Sequence, residues 1–240
     1  MGTSLCPRGT IHATSAWAKN LVHPTRLWSI VTFTNSGHWH GAAVTMGTDI
    51  HLFAEYDTGN IRGLGQKSSS LPQAVAEPFA VAKNIKSIAE GEFFIPRDYA
   101  LFDALAGVRH NNEKPPPLIP PRGFPIFASL DVTRAYFSYV CDDGEPPLED
   151  HDVTRFDADK YVARGASIYR DHPSKPRGWV SEPDWHTPSW LFLHEIEAAL
   201  RQHDSQFSRT SIEFQAVSDL LFSLEKHYPK RTRIVFWFDN

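Results

Sequence analysis

From Met46 the chain reads M-G-T-D-I-H-L-F-A-E-Y, with polar and apolar residues falling at alternate positions. Successive side chains on a strand point to opposite sides of a sheet, so this period predicts a β-strand over residues 48–56. Asp49, His51, Phe53 and Glu55 then share one face, while Ile50, Leu52 and Ala54 share the other and suit a core. Three ionisable groups on one strand face, Asp49, His51 and Glu55, imply that the face lines a cleft. At the far end R-I-V-F-W-F-D-N predicts a second strand over 232–239. The period changes between them. Tyr99, Phe102, Leu105 and Ala106 recur at helical spacing before Gly107, which predicts a helix near 97–108. Trp190, Leu193, Ile196, Glu197 and Leu200 predict another over 188–202, with Thr187 as N-cap and Pro188 at the first helical position. Val217, Leu220, Leu221 and Leu224 predict a third near 211–227. Strands at both ends with helices between them give an α+β class with a mixed or antiparallel sheet.

The intervening stretches read as connections. Asp57-Thr58-Gly59-Asn60 is a turn signal, with a hairpin to follow. Residues 63–70, G-L-G-Q-K-S-S-S, lack the Gly-Lys-Ser/Thr ending of a phosphate loop. Ala74–Ala89 reads as a short surface helix. Residues 111–125 hold so many prolines that regular structure is excluded, leaving a stiff loop that carries Arg122 and Gly123. Residues 141–159 are acidic but lack the ordered ligand spacing of a calcium loop, and are expected to be a solvated loop.

Composition narrows the classes. A formal net charge of −4 argues against general nucleic-acid binding. Cys6 and Cys141 are the only cysteines, which excludes a disulfide framework and cysteine-rich zinc modules. No apolar run approaches the roughly 20 residues needed to cross a bilayer, so a cytoplasmic protein without membrane contact is expected. Residues 1–45 contain no Asp or Glu and are rich in Ser and Thr, with Trp17, Trp28 and Trp39 recurring. This leader has the composition of a transit peptide; the preferred expectation is that translation starts at Met46 and 46–240 is a single domain.

Five motifs carry a resemblance: M-G-T-D-I-H-L-F-A-E-Y, R-D-Y-A-L-F-D-A-L-A-G-V-R, P-P-R-G-F-P, H-T-P-S-W-L and R-I-V-F-W-F-D-N. In this order they resemble a family of uncharacterised bacterial and phage proteins that open with M-G-C-D-I-H and close with F-D-N. Thr48 stands where the family has Cys. The resemblance implies a start at Met46 and no particular activity.

The candidate chemistry rests on few residues. Asp49, His51, Glu55, His186 and Asp239 are the candidate acids, bases and catalytic groups. Asp49, His51 and His186 would form a 2-His-1-carboxylate set for zinc, manganese or iron(II), able to generate a bound hydroxide. The alternative is that His51 is a buried, hydrogen-bonded imidazole. Arg97, Arg109 and Arg122 are the candidate anion holders, because a guanidinium matches phosphate or carboxylate; an ion pair with Asp98 or another nearby carboxylate competes for Arg97. Trp185, His186 and Trp190 bracket a stacking platform for a base. Ser189 with His186 and Asp239 has the members of a triad but no G-x-S-x-G elbow. Two functions follow as expectations. One is a metal-assisted hydrolase or transferase acting on a phosphorylated or nucleotide-like small molecule. The other is a non-catalytic phage or mobile-element accessory that binds a nucleotide or a host protein.

Overall fold

The computed structural model describes residues 47–59, 78–109, 115–169, 178–202 and 210–240. All belong to the unit Thr45–Asn240; the leader 1–45 and the segment 60–77 lie outside the described residues. The two strongly alternating segments form neighbouring strands, β1 (Asp49–Asp57) and β8 (Thr232–Asp239). They pair antiparallel in unbroken register from Asp49↔Asp239 through His51↔Trp237 to Glu55↔Arg233 and Tyr56↔Thr232. Two flanking strands, β2 (Ile85–Ser87) and β7 (His186–Phe192), complete an antiparallel sheet of order β2-β1-β8-β7.

Alternation gives this sheet two dissimilar faces. Ile50, Leu52, Ala54, Leu191, Ile234, Phe236 and Phe238 pack against helices α1 (Tyr99–Ala106), α4 (Leu193–Gln202) and α5 (Ile212–Glu225). Each large side chain buried there contributes about 1.5–3 kcal/mol against the chain entropy lost on folding. Phe53, Val235 and Trp237 point the other way, onto Tyr136 and Val132 of α2 (Leu130–Tyr136) and Phe137 of β3 (Phe137–Cys141). A second, mixed sheet runs β4-β3-β6-β5, with β4 (Val153–Thr154) parallel to β3 and β6 (Trp179–Ser181) antiparallel to both β3 and β5 (Ile168–Tyr169). Helix α3 (Arg155–Ala163) packs Ala158 against Val140 and Val180 of that sheet. The α+β class holds, and among the described residues no helix is long and apolar enough to cross a membrane.

Helix ends follow local chemistry. Asp98 accepts from Leu101 N–H at 3.1 Å to cap α1, and Gly107, at φ 69°, supplies the left-handed residue that ends it. Ser129 and Ser211 cap α2 and α5 in the same way.

Three expectations are corrected. The helix predicted over 188–202 begins only at Leu193, because 186–192 is strand β7. Its signal is Glu195, whose carboxylate accepts from Phe192 N–H at 2.9 Å, the returning half of a capping box. Pro188 instead falls in the irregularity between His186 and Ser189, where its missing N–H costs no ladder bond, and Thr187 takes φ 51°. The acidic stretch is not all loop. Thr154 caps α3 by accepting from Asp157 N–H at 3.2 Å, and Asp152 folds the preceding turn by accepting from Tyr139 N–H and Glu149 N–H. Within 74–89 the described part is a single 3-10 turn, Ala82–Asn84, followed by strand β2.

Candidate functional site

The β1–β8 ladder brings Asp49, His51 and Asp239 together at one end, on the face away from the long helices. Asp239 accepts from Asp49 N–H at 3.1 Å, which fixes the two carboxylates side by side. The segment between β2 and α1 then lays two charged residues over them. Arg97 forks onto Asp49, with Nε and Nη2 at 2.6 and 2.7 Å from its two oxygens. Glu92 accepts from His51 Nδ1 at 2.6 Å. Gly47 is what lets Arg97 in: a Cβ there would collide with the guanidinium. On its other side His51 Nε2 stands 3.6 Å from Asp239 Oδ2, inside ion-pair range but beyond a hydrogen bond. The imidazole stacks on Trp237, 5.5 Å between centroids, and Trp185 tilts over both rings at 5.4 Å from each.

These contacts set the charge states. Burial pulls the His51 pKa down, but Glu92 and Asp239 outweigh it and hold the imidazole above its ordinary 6.5. The hydrogen bond from Arg97 holds the Asp49 carboxyl below its usual 3.8, and Asp49 raises Arg97 in turn. The His51 side chain keeps 23% of its exposure, although Nε2 itself is shielded from solvent.

The remaining sequence candidates lie elsewhere. Glu55 shares the face but is fully buried, held by Arg233 at 2.7 and 2.9 Å and by Ser129 N–H at 2.5 Å, so it joins no open site. His186 pairs in register with Phe238 and stacks on its ring at 5.9 Å, on the helix-facing side; His51 pairs with Trp237 on the opposite side. The sheet itself therefore separates the two histidines, and the set Asp49, His51 and His186 does not fit a metal. Among the described residues no group of three or more His, Cys, Asp or Glu is placed to hold one. Burial pushes the His186 pKa down, with Asn240 and Asp239 offsetting part of the effect.

All three candidate anion-holding arginines are engaged within the chain. Arg97 is on Asp49. Arg109 Nε donates to Thr48 Oγ1 at 3.0 Å. Arg122 donates to Glu195 through both terminal nitrogens and lies 4.3 Å above the Trp190 ring. Trp190 is thus a platform for Arg122, with Arg233 at 5.6 Å as a second cation, rather than for a base. Ser189 is buried and accepts from Arg122 N–H at 3.2 Å, which spends its hydroxyl on the loop at the sheet edge.

Two residues of the site escaped the sequence reading. Glu92 was hidden in a polar run, although it stands five positions before Arg97 on the same segment. Trp237 reads as core from its apolar neighbours; its alternation phase puts it on the face of Asp239, and the β1–β8 register sets it opposite His51. Comparison of the chain with protein-family models, curated proteins and solved structures finds no match.

Proposed function

We propose that this chain is an acid–base hydrolase or transferase acting on a nucleotide-like small molecule, with His51 as the group that moves the proton. One observation carries the reading: His51 is held through Nδ1 by Glu92 at 2.6 Å while Nε2 has no hydrogen-bond partner among the described residues. That is the division of labour a general acid requires, one nitrogen fixed by a carboxylate and the other left to exchange a proton. Glu92 and Asp239 hold the His51 pKa above its ordinary value, which favours the imidazolium and so favours donation to a leaving group. Asp239 stabilises the imidazolium from the second side, and it is itself oriented by the hydrogen bond it accepts from Asp49 N–H. No metal enters this reading, and the engaged arginines leave recognition of the substrate to the aromatic rings and the carboxylates rather than to a cationic grip.

A panel of nucleoside and nucleotide esters assayed with wild type, His51→Gln and Glu92→Gln tests it. Turnover should fall by at least about a hundredfold in His51→Gln, the usual weight of a general acid. Glu92→Gln should fall less and shift the basic limb of the pH profile downward. Turnover untouched by His51→Gln would end the proposal.

A second reading has an observation of its own. Phe94, Ile126 and Phe156 are large apolar side chains exposed by 76%, 80% and 70%, and each could serve as an anchor on another protein. A panel with no turnover at all, beside a titrating His51, would favour it.

A further inference from the structure

Two ring nitrogens on the β1–β8 face are buried without a hydrogen-bond partner among the described residues, Nε2 of His51 and Nε1 of Trp237. They belong to stacked rings 5.5 Å apart and 16° from parallel, and Trp237 is only 1% exposed. Its ring packs against His51, Phe53, Tyr136 and Trp185, and among the described residues its N–H donates to none of them. Buried donors in folded proteins are nearly always paired, so one left over is a place where a ligand acceptor can bind. Beside His51 stand acceptors, the partly exposed carboxylates of Glu92 at Nδ1 and of Asp239 at 3.6 Å from Nε2. Trp185, tilted over both rings from the turn before β7 and itself only half-buried, adds a flat apolar face.

We infer that the site takes the lactam edge of a planar heterocycle, a ring carbonyl beside a ring N–H, of the kind found in hypoxanthine, guanine or uracil. This rests on the acid–base reading of His51 and names the chemistry of its substrate. The carbonyl oxygen accepts from Trp237 Nε1–H and from the protonated Nε2 of His51. The adjacent ring N–H donates to Glu92 or Asp239. The Trp185 ring turns outward to admit the heterocycle and stacks on it. A phosphate would supply acceptors only and would face three carboxylates, those of Asp49, Glu92 and Asp239, with Arg97 already committed to Asp49. A lactam offers both hydrogen-bonding senses and no charge.

Inosine and adenosine separate the possibilities, since they differ at the edge in question: a carbonyl and N–H in one, an amino group and bare nitrogen in the other. Both are titrated into ¹⁵N-labelled full-length protein while the indole N–H resonances are followed, with Trp237→Phe identifying the Trp237 signal. Inosine should move that signal saturably, with adenosine at least tenfold weaker, because a site built to hydrogen-bond rejects an analogue that leaves its donors unpaired. Calorimetry on the wild type measures the same ratio without any variant. Equal affinities would overturn the lactam assignment. No shift with either nucleoside, together with a bound water detected at the Trp237 N–H, would overturn it as well. If inosine fails while His51→Gln still abolishes turnover of another substrate, only this inference falls. If both fail, the acid–base reading falls with it.

Discussion

The two ends of the β1–β8 ladder are built from the same materials and behave differently. At one end Asp49, His51 and Asp239 meet Glu92 and Arg97 with side chains from about a quarter to half exposed. At the other, four residues along the same face, Glu55 and Arg233 form an ion pair exposed by 0% and 3%. The difference lies in the cover. Over Glu55 lie the N-terminus of α2, through Ser129 N–H, and the Phe79 ring, 3.9 Å from the Arg233 guanidinium. Beside it Asp57 accepts from Arg231 and from the backbone of Gly59 and Phe79. Among the described residues, the half-buried Trp185 and the exposed Glu92 lie over His51. A charge pattern on a strand thus marks where charges are, and the loops packed over it decide whether they stabilise or react.

Breaking the sealed end should have the largest effect. Arg233→Leu leaves the Glu55 carboxylate buried and uncompensated, and should cost roughly 3–5 kcal/mol in urea unfolding. A loss under 1 kcal/mol would mean that water reaches Glu55. Replacing both partners, Glu55→Gln with Arg233→Met, should recover a large part of that loss.

The open end should register in pH rather than in stability at a fixed pH. The raised pKa of His51 means that its contribution is whole below the ordinary 6.5 and is lost as pH climbs through the raised folded value. His186, with its pKa lowered, acts in the opposite sense. Its contribution is whole above 6.5 and is lost as pH falls from there through the lowered folded value. Unfolding free energy measured from pH 5 to 9 should therefore decline on both sides, with Glu92→Gln flattening the alkaline decline and His186→Phe the acid one. An alkaline limb that survives Glu92→Gln unchanged would detach His51 from Glu92. The smallest effect belongs to Asp49→Asn. Both partners of the Arg97 fork are half exposed and screened, so the denaturant midpoint at neutral pH should stay within error.

Much of this was legible in the sequence, for identifiable reasons. Period-two alternation fixed which residues of β1 and β8 face together, and hence that His51 and Asp239 share a face. It could not tell that Glu55 is roofed over, because the roof, Ser129 and Phe79, lies 74 and 24 positions along the chain. The strand at 186–192 was misread because Thr-Pro is a strong local helix start, and only pairing with β8 overrides it. The partners of Arg97 and Arg122, Asp49 and Glu195, are 48 and 73 residues away, a range at which residue type alone offers too many choices.

The pairing of β1 with β8 also has a consequence in time. Asp49 finds Asp239 across 190 residues, so the central pair of the sheet is among the most non-local contacts in the molecule. Such topologies fold slowly, since a long loop must close before any contact rewards it. During synthesis the edge of β1 that faces β8 stays open until β8 has left the ribosome some 180 residues later, since β2 and Phe93 pair only with its other edge. The cell must keep that strand from pairing with another chain throughout this interval, and the ring of charges at His51 comes into existence only when it ends.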